Sequence, residues 1–234
     1  DVTFNDNSAV NTGGGMYLYS FCNPTLTDVT FSGNTAYDCG GMFLWDSSPT
    51  LTDVTFNDNS AVNTGGGMYM SSSSATLTGV TFSGNTADYG GGMYLYSFSN
   101  PTMTNSILWG NSPQEIYFYE SGDGSNSITI TYSDIQGGQD SIVTNDNGTV
   151  TWGSGNIDVD PRFIDSENSN YHLLASSQLI NAGDPTTFDS DGSRADMGAY
   201  PYLNSYSGPT WYINESGNDT TATGASDDPF RSVQ

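Results

Sequence analysis

Five asparagines recur along the first half of this chain. Asn7, Asn34, Asn59, Asn85 and Asn111 are spaced by 27, 25, 26 and 26 residues. Phe4, Phe31, Phe56, Phe82 and Leu108 keep the same intervals, three places earlier, and Met16, Met42, Met68 and Met93 follow at 26, 26 and 25. Residues 1–17 and 53–69 both read DVTFNDNSAVNTGGGMY; diverged copies begin at Asp28 and Gly79, and a weaker one at Asn105. A repeat of this length constrains the fold more than any other feature. Each unit is too small to bury its own apolar edge and gains stability only by stacking on its neighbours.

The unit is not helical. Gly, Asn and β-branched residues are frequent, and apolar positions alternate with period two. Each period holds three short strands, like Thr25-Leu26-Thr27, Val29-Thr30-Phe31 and Gly41-Met42-Phe43-Leu44, separated by Asp/Asn/Ser/Gly turns. Strands stacked on their copies one turn later, ~4.8 Å away, make a coil of parallel sheets. The predicted fold is therefore all-β, a right-handed parallel β-helix (solenoid) with three short strands per ~26-residue coil. Leu26, Leu51, Leu77 and Met103 form one internal ladder, and the Phe and Met columns form others. Asn is expected to take the left-handed conformation at a sharp corner and to bond the Asn above and below. The glycine triplets supply the other corner. A leucine-rich repeat would require an L-x-x-L-x-L-x-x-N spacing, which the chain lacks.

The Phe31-Ser32-Gly33-Asn34 and Gly40-Gly41-Met42 pattern, in four copies over residues 1–96, resembles the FxxN/GG repeat of polymorphic outer-membrane proteins and related bacterial β-helix surface proteins. The segments Tyr132–Gly138, Gly155–Phe163, Tyr171-His172-Leu173, Leu179–Asp184 and Asp189–Tyr200 resemble the C-terminal end of secreted β-helix proteins of the choice-of-anchor type. The resemblance covers about residues 1–202. It implies coils over 1–160, a C-terminal cap region over 161–204, and a linker plus the opening strand of a following β-helix over 205–234. Such a strand, Trp211-Tyr212-Ile213-Asn214 onward, belongs at the start of a domain, while the chain opens in mid-pattern. The expectation is a processed or excised piece, or copies joined head to tail by residues 211–234, a contact that does not close on itself. The implied location is extracellular or cell-surface, in a secreted, bacterial-type protein.

Charge narrows the function. Three Lys plus Arg against 26 Asp plus Glu give a formal charge of −23. That field repels nucleic acid and anionic lipid. No apolar run is long enough to span a membrane. The aromatic share of 13% argues against disorder.

Enzymatic readings find little support. Lyases of this fold use a basic residue, and Arg162, Arg194 and Arg231 all fall in the terminal motifs. Hydrolases need two carboxylates at a set separation; Asp28 and Asp53 share a column ~5 Å apart, as any stacked acidic pair does. The single histidine, His172, reads as structural. The expectation is a non-enzymatic chain: a surface stalk, adhesin or filament subunit.

Two sets of residues stand out for binding. Asp184, Asp189, Asp191 and Asp196 cluster in a Gly-containing loop that could hold calcium, or could cap its own turns. With Met and Leu pointing inward, Tyr17, Phe43, Tyr69 and Tyr94 form one outward column. Tyr19, Trp45 and Tyr96 form a second, broken at Ser71. Such a ladder can stack sugar rings or a protein partner, or can stiffen the sheet by cross-strand stacking. Cys22 and Cys39 are about nine positions apart on adjacent coils, ~30 Å at strand rise, and are expected to be unpaired. Asn147, Asn214 and Asn218 head glycan acceptor triplets.

Overall fold

Three strands per coil stack into three parallel sheets in a computed structural model, which describes residues 2–120, 124–203 and Ser216. Sheet 1 runs in coil order through Val2–Asn5, Val29–Ser32, Thr55–Asn57, Thr81–Ser83, Ile107–Trp109 and Asp134–Ile135. Sheet 2 comprises Met16–Tyr19, Met42–Trp45, Met68–Ser71, Met93–Tyr96 and Ile116–Phe118. Sheet 3 comprises Thr25–Thr27, Thr50–Thr52, Thr76–Thr78, Thr102–Thr104, Asn126–Thr131 and Gly148–Trp152. This is a right-handed parallel β-helix. A further pairing, Thr35–Ala36 with Ser60–Ala61, occupies the corner after the asparagine and was not legible in the strand pattern.

Register follows the repeat without slippage. Phe4, Phe31, Phe56, Phe82, Leu108 and Ile135 pair in turn, as do Leu26, Leu51, Leu77, Met103 and Ile130. One face of each strand is interior, so a one-residue slip would turn every apolar side chain outward. The Phe rings stack with centroids 4.8, 4.9 and 4.7 Å apart, the separation of adjacent strands themselves. Phe31, Phe56 and Phe82 are fully buried. Each contributes on the order of 2 kcal/mol relative to an exposed ring.

The asparagines form one continuous row. Asn7, Asn34, Asn59 and Asn85 each donate from Nδ2 to Oδ1 of the next, at 2.8, 2.8, 2.9 and 2.7 Å. From Asn34 onward Nδ2 also donates to the carbonyl of a Phe in the preceding coil, as Asn85 does to Phe56. The expected reason for asparagine needs correction. The left-handed residue at this corner is the one before it: Asp6, Gly33, Asp58, Gly84 or Gly110, with φ between 52° and 77°. Asparagine is selected for its amide, which satisfies buried backbone groups of two coils at once.

In the glycine triplets only the first member needs a positive φ (Gly13, Gly65 and Gly90, 63–66°), and Cys39 holds that place in the second coil at 58°. The later glycines are required by close approach: a Cβ on Gly67 would lie 2.7 Å from the Gly92 carbonyl oxygen.

Residues 161–203, expected to cap the end of the coils, run back along the outer face of sheet 1. Leu173, Leu179 and Met197 pack on Ile107, with Trp109 beside them. The Ala199 amide donates to Thr81 Oγ1 at 3.0 Å, and the Gly198 amide to the Asn105 carbonyl at 2.8 Å. This cover explains why outward-facing Thr55, Asn57 and Thr81 are buried. The described residues up to Leu203 form one compact unit. The proposed opening strand, Arg231, Asn214 and Asn218 lie outside the described residues.

Candidate functional site

The outer face of sheet 2 carries the aromatic residues in the expected register. Tyr17 pairs with Phe43, Phe43 with Tyr69, and Tyr69 with Tyr94; Tyr19 pairs with Trp45, Trp45 with Ser71, and Ser71 with Tyr96. The first column is not a free ladder, however. Phe43 and Tyr94 are only 5% and 4% exposed. Phe43–Tyr69 and Tyr69–Tyr94 stack at 4.4 and 5.2 Å with ring planes 6° and 15° apart. Coil spacing is close to ring thickness, so neighbouring rings cover one another's faces. Burial pushes the Tyr69 and Tyr94 phenols far above their usual range, so both stay protonated.

The accessible rings are Tyr17, Tyr19 and Trp45, at 48%, 56% and 41% exposure. Tyr96 leans toward Tyr69, with centroids 6.4 Å apart, over the gap at Ser71. Both columns continue one coil beyond the expectation. Tyr117 pairs with Tyr94, and Tyr119 lies 5.0 Å from Tyr96. The segment Ile116-Tyr117-Phe118-Tyr119 repeats the apolar–aromatic alternation of Met93-Tyr94-Leu95-Tyr96, a signal hidden by the missing glycine triplet.

A second site lies where the returning segment meets the corner column Asp28, Asp53, Gly79 and Asn105. With Asp189, Asp196 and Phe188 opposite, it forms a groove of about 510 Å³. Burial, then repulsion from Asp28 and Asp189, pushes the Asp53 carboxyl up to about 6. Burial and Asp196 push Asp189 to about 6 as well. The sequence placed Asp28 and Asp53 in one column but gave no sign that Asp189 joins them, because that contact spans more than 130 residues. Two carboxyls that exchange protons near pH 6 can donate or accept a proton there, or favour a cation over an anion.

The four loop aspartates do not converge. Asp184 Oδ1 accepts from the Thr186 amide and hydroxyl, both at 2.8 Å, which lowers its pKa. Asp191 Oδ1 accepts from the Ser193 amide at 2.9 Å. Asp196 accepts from the Asn181 and Tyr202 amides, and Asp189 from the Asp196 amide at 3.2 Å. Asp184 and Asp191 thus cap their own turns, while Asp189 and Asp196 tie separate parts of the returning segment together. Among the described residues no three Asp, Glu, His or Cys side chains converge as metal ligands do.

The described arginines and the histidine each have a partner in the fold. Arg194 donates from Nε to the Gly183 carbonyl at 2.7 Å and lies over the Tyr132 ring. Arg162 donates to Ser176 Oγ at 3.1 Å. The His172 ring packs on Tyr200, centroids 4.8 Å apart. Both cysteines are unpaired, Cys22 exposed and Cys39 buried.

Parallel sheets, one residue ladder per column and side-chain rows closed on themselves define a β-solenoid repeat protein. The chain belongs to the family described as the right handed beta helix region, whose model matches residues 1–77 and 50–157. No curated protein and no solved structure matches it significantly.

Proposed function

We propose that this chain is a non-catalytic extracellular structural solenoid: a surface stalk, adhesin or filament subunit. The carrying observation is the uniformity of its ladders. The same side chains fill the same columns from coil to coil, and the middle of the first aromatic column, from Phe43 to Tyr94, packs ring on ring. Repetition of this kind suits a stiff rod, with each coil held by its neighbours. The charge of −23 with three cationic residues suits a solvated outer surface. Electron microscopy of native material is expected to show rods of uniform width, and incubation with polysaccharides to release no new reducing ends. Release of reducing ends that ceases in Asp53→Asn or Asp189→Asn would replace this reading with a hydrolase at the carboxylate groove.

A second reading, glycan contact, is favoured by the exposure of Tyr19 and Trp45, whose rings are not covered as the first column is. Retention on a glycan array that falls in Tyr19→Ser and Trp45→Ser, with an unchanged melting temperature, supports it. Equal retention by both variants removes it.

A further inference from the structure

The aromatic order of sheet 2 loosens at both ends, at Tyr17, which meets Phe43 edge-on at 63°, and around the last two coils. Tyr94 and Tyr117 remain stacked, 5.6 Å apart with planes 11° apart. The rings on either side of this pair do not follow. Tyr89 is turned 50° from Tyr117 at 5.3 Å, and Tyr119 is turned 45° from Tyr94 at 6.4 Å. The four tyrosines, with Glu120, line a groove of about 210 Å³.

The corner also shortens at this end. Met93 follows Asn85 by eight positions, but Ile116 follows Asn111 by only five, and the glycine triplet is gone. The corner column that holds the Thr12–Asp38 and Thr64–Tyr89 bridges gains no further bridge at Tyr89, while the neighbouring corner column runs on from Ser60–Thr86 to Thr86–Ser112. Tyr89 is 47% exposed. A ring tilted by about 45° is not covered over its whole face by its neighbour, unlike Tyr69, which is stacked between Phe43 and Tyr94.

Charge selects the occupant. Glu120 is in the wall, and Asp38 stands behind Asn63 and Thr64, which also line the groove and each donate to it at 2.9 Å. No Arg lines the groove, and the whole chain carries −23. Aromatic faces offer negative potential but no lone pairs for a metal ion, and they attract a weakly hydrated cation with an apolar shell. The volume is below the ~300–1,000 Å³ of a site for a drug-sized molecule, so it suits one headgroup.

We propose that the tyrosine groove formed by Tyr89, Tyr94, Tyr117 and Tyr119 beside Glu120 binds a quaternary or methylated ammonium group. The site is independent of the structural role proposed above, and its failure leaves that role intact.

Titrating choline into the full chain, followed by tyrosine fluorescence and NMR shifts, tests this directly. Saturable choline binding is expected, with the neutral isostere 3,3-dimethylbutan-1-ol at least ~10-fold weaker. Tyr119→Ala is expected to weaken choline about 10-fold, and Glu120→Gln several-fold. Absence of saturation, or equal binding of the neutral isostere by the unmodified chain, overturns the proposal whatever the variants do. Co-sedimentation with phosphatidylcholine but not phosphatidylglycerol vesicles assigns the ammonium to a lipid headgroup. Choline binding without co-sedimentation assigns it to a soluble or glycan-borne group.

Discussion

Glu115 ends the asparagine row by standing in for the asparagine that the next coil lacks. Its carboxylate accepts from the Asn111 backbone amide at 3.1 Å and from the Asn111 side-chain amide, the two bonds that each earlier asparagine receives from its predecessor. Its own position on the coil is buried, and Gly138 occupies the place an asparagine would have filled. Burial pushes the carboxyl up to about 7 against the pull of those two hydrogen bonds.

Stability is therefore expected to fall as pH rises through this region. Glu115 is raised from 4.5 to about 7, and Asp134 from 3.8 to about 7, chiefly by burial. The folded state binds more protons than the unfolded one between about pH 4 and 7, so the stabilising effect of protonation is present at the acid end and lost toward neutrality. For Glu115 this is on the order of 3 kcal/mol. The melting temperature should be higher at pH 5 than at pH 7.5, and Glu115→Gln should narrow the difference. A melting temperature that climbs with pH over this window contradicts the assignment.

The middle of the asparagine row should be far more sensitive than its end. Asn85 donates to Phe56 and Asn111 and accepts from both amides of Asn59, all buried. Asn85→Ala leaves several of these groups unpaired, at about 1–3 kcal/mol each, for a loss of about 3–5 kcal/mol in urea unfolding. Asn7 is exposed, and Asn7→Ala should cost less than about 1 kcal/mol. Equal losses at the two positions would mean that the row does not carry the coil-to-coil coupling.

The two thiols should react unequally. Cys39 is fully buried, and burial raises its pKa far beyond the usual thiol range; Cys22 is exposed. A thiol reagent should label one cysteine in the native protein and the second only after unfolding. Labelling of both at similar rates would show that the second coil opens readily.

Much of the fold was legible in the sequence because the repeat states each packing decision several times over. Leu26, Phe31, Met42 and Asn34 recur at fixed offsets, and parallel stacking is the only way to give every copy the same surroundings. The aromatic columns were legible for the same reason, though their burial was not. Exposure on a sheet's outer face depends on ring-to-ring spacing, which turned Phe43 and Tyr94 from surface into packed residues. The left-handed corner was assigned one residue late because Asp6, Gly33, Asp58, Gly84 and Gly110 do not look alike as letters, yet share one backbone conformation.

What the sequence alone determined, then, is the coil: its period, its three strands, the interior columns and the row of amides, all of them relations between a residue and its copy one turn away. What only the tertiary structure decided lies outside the repeat. The returning segment brings Asp189 to Asp53 and buries Thr55 and Thr81, and the rings of Tyr89 and Tyr119 tilt against Tyr117 and Tyr94. A periodic pattern specifies contacts at a fixed separation along the chain. Contacts between unlike segments more than a hundred residues apart have no such echo, and are set by which surfaces fit once the coils have formed.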